Sequence, residues 1–78
     1  DSNLAKGFCY ALGVGVAKDP KKAFELFQQE AEKGILLAIF KMATCYYDGE
    51  GVEKDPKQGF PYYLQAAQRG DVVAQHNV

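Results

Sequence analysis

The sequence repeats itself with a period of 36 residues. Shifting the chain by 36 positions gives 14 identities over the 42 positions that can be compared, and no gap is needed. The shift superposes Gly13–Lys21 on Gly49–Lys57, including both glycines and the Asp-Pro pair of each segment. A fixed period of this size is typical of repeat architectures, in which each supersecondary unit buries its apolar face on its neighbours. We therefore read the chain as two copies of one structural unit.

The start and stop signals in each unit predict a helix, a loop and a second helix. Asp19-Pro20 and Asp55-Pro56 place an N-cap acceptor before a proline at the first helical position, which predicts a helix start at each pair. Gly34 and Gly70 are predicted to end those helices. The loops before them contain Gly13 and Gly15 in the first copy, and Gly49 and Gly51 in the second. Upstream, Ile35, Ala38, Ile39, Met42 and Tyr46 follow the spacing of one helix face, which indicates the first helix of the second pair.

The spacing of these residues resembles the Sel1-like repeat. The second copy reads Ala38-x3-Met42-Ala43-x2-Tyr46-x2-Gly49-x-Gly51-Val52-x2-Asp55, continuing to Tyr62-Tyr63-x2-Ala66-Ala67-x2-Gly70. The resemblance implies an all-α fold, an α/α solenoid related to tetratricopeptide repeats and used as an adaptor or scaffold. We expect repeat 1 at about 1–34, repeat 2 at about 35–70 and the start of a third helix A at 71–78, and we interpret the single domain 1–78 as part of a longer array.

The chain departs from the repeat pattern in the first helix of repeat 1 and in the second helix of repeat 2. Ser2 and Lys6 occupy positions where the pattern has apolar residues, so the first helix is predicted to be frayed or to act as an end cap. Pro61 lies inside the helix that Pro56 should open. An interior proline removes one backbone hydrogen bond, so that helix is predicted either to kink or to begin late, near Phe60.

Composition and charge exclude several classes of partner. The chain has 9 Lys and Arg against 10 Asp and Glu, a formal net charge of −1, which is a poor match for nucleic acid. Its longest purely apolar run, Ile35 to Phe40, is far shorter than the roughly 18 residues that a membrane span requires. The compartment is not indicated by any segment.

The residues offer little for catalysis, metal binding or a cofactor. His76 is the only histidine, and no Ser-His-Asp set can be assembled. Cys9 and Cys45 recur at the repeat period, so stacking should hold them too far apart for a disulfide, and we predict two free thiols. The Gly-x-Gly loops lack the rest of a phosphate-binding motif, and the carboxylates between Asp48 and Asp55 lack calcium-loop spacing. We expect no metal, no cofactor and no enzymatic activity.

The first helix of each pair has a second stripe of mostly apolar and aromatic residues, opposite the face that is predicted to point into the core. This stripe is the candidate binding surface. In an α/α solenoid these helices line the concave surface, where an apolar stripe suits a peptide or helix of another protein. Part of the stripe could instead pack between neighbouring helices. The predicted groove residues are Leu4, Phe8, Leu12, Leu37, Phe40, Thr44, Tyr47, Asp48 and His76.

The sequence thus predicts a protein–protein interaction scaffold. An alternative is a docking or packing domain of a larger enzyme or regulator. A third reading is a penicillin-binding or hydrolytic protein, as proposed for cysteine-rich relatives within the family that the chain resembles. It is disfavoured because those relatives have cysteine pairs within each repeat, whereas each repeat here has one cysteine. In addition, Ser2-x3-Lys6 is not the Ser-x2-Lys spacing of penicillin-recognising enzymes. Exposed apolar ends, at Leu4 and Phe8 and at Val72 and Val73, would allow self-association.

Overall fold

The protein folds into four helices that form two antiparallel pairs. The structure, a computed structural model, describes the backbone of residues 2–76 and the side chains of residues 3–70, and this part contains no strand. The helices are α1 (Ser2–Leu12), α2 (Pro20–Glu32), α3 (Leu36–Asp48) and α4 (Pro56–His76). Each helix packs on the next one along the chain, so α2 joins repeat 1 to α3 of repeat 2. The predicted all-α solenoid is confirmed.

The two loops have the same hydrogen bonds, 36 residues apart. The amide of Gly13 donates to Cys9 O at 2.7 Å, and that of Gly49 donates to Cys45 O at 2.8 Å. The loop glycines, Gly13, Gly15, Gly49 and Gly51, all have φ between 74° and 77°. The repeated sequence thus gives a repeated backbone.

The Asp-Pro pairs start α2 and α4 as predicted, but the two aspartates bind differently. The carboxylate of Asp19 accepts a hydrogen bond from the Lys22 amide at 3.1 Å, an N-cap bond. The carboxylate of Asp55 instead accepts from the Gln58 side-chain amide at 2.8 Å, while its backbone oxygen accepts from the Gln58 amide at 3.0 Å.

Gly34 ends α2 in a Schellman motif. It has φ 86°, its amide donates to Ala31 O, and the Ile35 amide donates to Glu30 O. A contact from the other repeat also holds this turn, because Arg69 Nη1 on α4 donates to Gly34 O at 3.2 Å. Ile35 therefore precedes α3, whereas its spacing predicted a place on the helix face.

Two expectations about the second repeat are wrong, and one of two alternatives is excluded. Gly70 does not end a helix, because α4 continues through it to His76. Residues 71–76 consequently extend α4 and do not begin a separate third helix A. Of the two alternatives for Pro61, a kink or a late start, the late start is excluded, because α4 begins at Pro56 and Pro61 lies in its interior.

The core lies between α2 and α3. Phe27, Ile39 and Met42 are fully buried, and Phe24, Ala23 and Cys45 complete the cluster around Met42 and Phe27. The predicted inner face of α3, Ala38, Ile39 and Met42, is therefore confirmed. Over the described residues, no helix is both long enough and apolar enough to cross a membrane.

Candidate partner-binding surface

The predicted stripe divides into core residues and exposed residues. Leu4 and Phe8 on α1 are half-buried and pack against the core cluster. The Phe8 ring lies 5.1 Å from the Phe27 ring in an edge-to-face pair, and Lys41 Nζ lies 5.5 Å and 5.7 Å from the centres of these two rings. This is a cation–π arrangement. Leu4 and Phe8 therefore contribute to inter-helix packing and do not line an open groove.

The remaining predicted residues differ in exposure. Leu12 is 70% exposed, and Leu37 and Asp48 are also exposed. Thr44 is half-buried, and its hydroxyl donates to Lys41 O at 2.9 Å, so it is satisfied within α3. The side chain of His76 lies outside the described residues.

Phe40 and Tyr47 are brought together by a residue of α4. The ring of Tyr63 lies 5.4 Å from that of Phe40, at an interplanar angle of 79°, and 4.9 Å from that of Tyr47. Aromatic pairs at such distances each contribute about 0.5–1.5 kcal/mol beyond the area they bury. Phe40 is nevertheless 46% exposed, so one face of this aromatic trio remains open.

An apolar groove of about 390 Å³ lies beside the trio, between α3 and α4. We call it the α3–α4 groove, and it is lined by Leu36, Phe40, Tyr63, Ala66 and Ala67. Phe60 and Leu64 are exposed on the same helix as three of the lining residues. Of the predicted stripe residues whose side chains the structure describes, only Phe40 lines this groove. Sequence reasoning missed the α4 wall, although the aromatic residue and the Ala-Ala pair of the repeat pattern mark it.

A second groove of about 650 Å³ lies on repeat 1. Apolar and aromatic residues share its lining with two lysines, so it is amphipathic where the α3–α4 groove is apolar. The lining residues are Asn3, Lys6, Cys9, Tyr10, Val14, Gly15, Val16, Lys22 and Leu26.

No catalytic or metal-binding constellation is found in the part of the chain that is described. No three His, Cys, Asp or Glu side chains there are close enough to hold a metal ion. Both cysteines are free thiols, as predicted. Burial raises the pKa of the Cys45 thiol to about 11, the carboxylate of Glu50 contributes in the same direction, and Lys41 partly opposes them. A thiol of this pKa is a poor nucleophile at neutral pH.

The two thiols should alkylate at different rates. At pH 8 a thiol with a pKa of about 11 is roughly one part in a thousand thiolate, and Cys45 is also buried. Half-buried Cys9 should react first with iodoacetamide, and mass spectrometry of digested samples should find the early label on it. Cys9→Ser should abolish the fast phase, and urea should make both sites reactive. Native labelling of Cys45 at its unfolded rate would contradict the structure.

Comparison with known proteins identifies the repeat. The Sel1 repeat model matches residues 2–35 and 36–71. The crystal structure of a Sel1 repeat protein from Oxalobacter formigenes superposes with a TM-score of 0.84 at 32% identity, covering 87% of this chain and 28% of that one. The structure of c5321, a protective antigen of uropathogenic Escherichia coli strains with an SLR fold, gives 0.86 at 28% identity, covering 88% and 15%. This chain therefore spans less than a third of either protein. No curated protein gives a significant match.

Proposed function

Because the chain belongs to the Sel1 repeat family, whose members generally mediate protein–protein interactions, we propose that it is a non-catalytic binding module for an apolar helix or peptide of another protein. The binding site is the α3–α4 groove together with the exposed face of the aromatic trio Phe40, Tyr47 and Tyr63. The observation that carries this proposal is the exposure of Phe40 beside an almost wholly apolar groove.

The chemistry of the groove favours a helix or an extended apolar segment as its ligand. Ala66 and Ala67 provide a floor without long side chains, which permits close backbone approach, and Phe40 and Tyr63 provide rigid aromatic walls. Rigid aromatic residues in a desolvated pocket are the usual energetic centre of a protein interface. Among the residues whose side chains are described, no ionisable group lines the groove apart from the Tyr63 phenol, so apolar contact is the proposed basis of selection.

Leu12, Leu37 and Asp48 form the outer part of this proposal. They are exposed and lie on the helices that the sequence analysis assigned to a concave surface. We propose that a ligand longer than the α3–α4 groove also contacts these exposed residues, whereas Leu4, Phe8 and Thr44 are already engaged within the fold.

Phe40→Asp should weaken binding strongly. Helical peptides selected from a library on the immobilised protein provide the ligand, and calorimetry measures their Kd. Placing a carboxylate in the apolar groove should raise Kd at least 30-fold, which corresponds to about 2 kcal/mol at a central interface residue.

The matched control is Val14→Asp, which puts the same charge at an exposed apolar residue away from the α3–α4 groove. It should leave Kd within about twofold, because surface changes outside an interface have small effects. Equal binding by wild type and Phe40→Asp, with circular dichroism showing that both are folded, would remove the α3–α4 groove as the binding site.

A further inference from the structure

A polar cleft of about 280 Å³ lies between the two repeats, with one wall from α2 and the other from α4. We call it the α2–α4 cleft. Its α2 wall includes Gln28, Glu32 and the turn at Gly34, and its α4 wall consists of Tyr62, Gln65 and Arg69. Both walls belong to this chain, and none of these residues lines the α3–α4 groove. The cleft is therefore a separate surface of the molecule.

The guanidinium of Arg69 is held in place in this cleft. Its Nη1 atom donates to Gly34 O at 3.2 Å. An added Cβ at Gly34 would lie 3.0 Å from Nη1 and 3.4 Å from Nη2, so the guanidinium lies directly against the glycine turn. A guanidinium has five N–H donors, and the bond to Gly34 uses one of them. Donors therefore remain for a ligand, on a group whose position is already set.

Comparison of the two repeats shows why this cation is available. Arg69 is the equivalent of Lys33, whose Nζ atom lies 2.9 Å from Oε2 of the fully buried Glu30. The equivalent of Glu30 in repeat 2 is Ala66, which cannot neutralise Arg69. Among the described residues, Arg69 has no ion-pair partner. Repeat 1 thus pairs its cation internally, whereas repeat 2 presents its cation to the cleft.

The α2 wall supplies a charge of the opposite sign. Glu32 is exposed, and its carboxylate has no hydrogen-bond or ion-pair partner among the described residues. With one cation and one anion, Arg69 and Glu32, the lining has no net charge. A multiply charged anion such as phosphate is therefore a poor match. A zwitterion fits better, because its carboxylate can pair with Arg69 while its ammonium pairs with Glu32.

The other polar groups of the cleft are neutral. Gln28 and Gln65 each carry a carboxamide, which both donates and accepts hydrogen bonds, and neither has a partner among the described residues. The ring of Tyr62 is stacked on that of Tyr46, with centres 6.0 Å apart and planes at 14°, which holds it against the cleft. The volume is just below the roughly 300–1,000 Å³ of most ligand pockets, which favours a small polar ligand.

We propose that the α2–α4 cleft binds a free α-amino acid as a zwitterion. The ligand's carboxylate accepts from the remaining donors of Arg69, its ammonium donates to Glu32, and the carboxamides of Gln28 and Gln65 contact its other polar atoms. One ion-pair partner comes from each repeat, so a bound amino acid links the two repeats. The inference goes beyond the proposed function, because it concerns a different surface and a different class of ligand.

NMR titration of isotope-labelled protein with L-glutamine tests this site. The side-chain signals of Arg69, Gln28 and Gln65 and the amide of Gly34 should shift together, with a Kd of about 1 mM, since a small open cleft gives weak binding. L-glutamate, L-lysine and L-leucine are titrated in parallel to cover other side chains. The proposal is overturned if none of the four shifts these signals at about 20 mM, roughly twenty times the expected Kd.

Two blocked forms of the ligand test its two charges separately. N-acetyl-L-glutamine lacks the ammonium, and L-glutamine amide lacks the carboxylate. Each should bind about tenfold more weakly than L-glutamine, because one charge-assisted contact is lost. Sodium chloride at the same ionic strength is the control for general charge effects. Equal binding of the free and blocked forms would contradict recognition of a zwitterion.

Charge-removing variants test the two walls. Arg69→Gln and Glu32→Gln should each raise the Kd for L-glutamine about tenfold. The matched control is Lys57→Gln, which removes an exposed positive charge from α4 outside the cleft and should leave Kd within about twofold. Circular dichroism shows whether each variant is folded. If Arg69→Gln unfolds the chain, Glu32→Gln still tests the site, because that carboxylate makes no contact within the described fold.

Two results would assign these residues another role. Unchanged affinity in both folded variants would remove Arg69 and Glu32 from the site. If Arg69→Gln lowers the melting temperature while no amino acid binds the wild type, the guanidinium serves only to hold the turn at Gly34.

Phe40→Asp separates this inference from the proposed function. It changes the α3–α4 groove and leaves the α2–α4 cleft intact, so its Kd for L-glutamine should equal that of wild type. Arg69→Gln should in turn bind the selected helical peptide as wild type does. Peptide binding without amino-acid binding would remove only this inference, and the reverse result would remove only the proposed function.

Discussion

Gly51→Ala should lower the free energy of unfolding by roughly 2–5 kcal/mol. Positive φ costs an alanine about 1–2 kcal/mol. The new methyl group would in addition overlap the Pro20 carbonyl and lie 3.0 Å from Phe24 Cβ, and such overpacking typically costs about 1–3 kcal/mol. Neither obstacle belongs to a flexible side-chain end, so the two repeats must move apart. Urea denaturation followed by circular dichroism measures the loss.

Gly15→Ala is the matched control for this prediction. It has the same backbone strain and the same entropic effect on the unfolded chain, but its methyl group meets no atom within 4 Å. Its loss should therefore be about 1–2 kcal/mol, from the strain alone. Equal losses for the two alanines would show that the loop of repeat 2 does not rest on α2.

Phe27→Ala should cost about 3–5 kcal/mol. The ring is 1% exposed, pairs with Phe8, and lies where an added Cβ at Gly7 would be 2.8 Å from its Cε1 atom, so α1 is packed tightly onto it. Removing a fully buried aromatic side chain loses its transfer free energy and leaves a cavity. Chemical denaturation should show the midpoint falling sharply while the protein remains helical in the absence of denaturant.

Tyr63→Ala tests the equivalent position of repeat 2, which lines the open α3–α4 groove. Tyr63 is half-buried and is held by Phe40 and Tyr47, so its loss should be smaller, about 1–2 kcal/mol. The difference between the two variants measures the effect of covering this position with the next helix. A Tyr63→Ala loss as large as that of Phe27→Ala would show that the α3–α4 groove is already closed in solution.

The sequence predicted helix ends correctly where they depend on neighbouring residues alone. Pro20 and Pro56 begin helices because the first helical position requires no amide donor and because the φ of proline is already helical. The inner face of α3 was predictable because its period matches one side of a helix.

Gly34 and Gly70 show where that reasoning fails. They have the same place in the repeat, yet only Gly34 ends a helix. The turn at Gly34 is held from outside, by Arg69 of the other repeat and by the packing of α3 on α2. At Gly70 no described atom lies within 4 Å of an added Cβ, and α4 continues through this residue. Whether a glycine at this repeat position ends the helix therefore depends on tertiary contacts.

The candidate surface was only partly predictable for the same reason. The periodicity of α3 placed Phe40 and Tyr47 on one stripe, but it could not indicate that Tyr63 of α4 would join them. Nor could the periodicity of α1 distinguish Phe8, which packs against the core, from Leu12, which is exposed. Both belong to the same apolar stripe, and only the position of the neighbouring helix distinguishes them.

The period, the starts of α2 and α4, the loops and the inner face of α3 follow from the amino-acid sequence, because they depend on backbone preferences and on residues a few positions apart. How the helices approach one another depends on tertiary packing. Gly59 looks unfavourable inside α4, yet it is buried where an added Cβ would lie 2.8 Å from the Tyr47 ring and 3.0 Å from Ala43 O. Close packing of α4 on α3 is compatible with Gly59 and with unbroken helix through Pro61, because contacts along the whole helix outweigh one missing hydrogen bond.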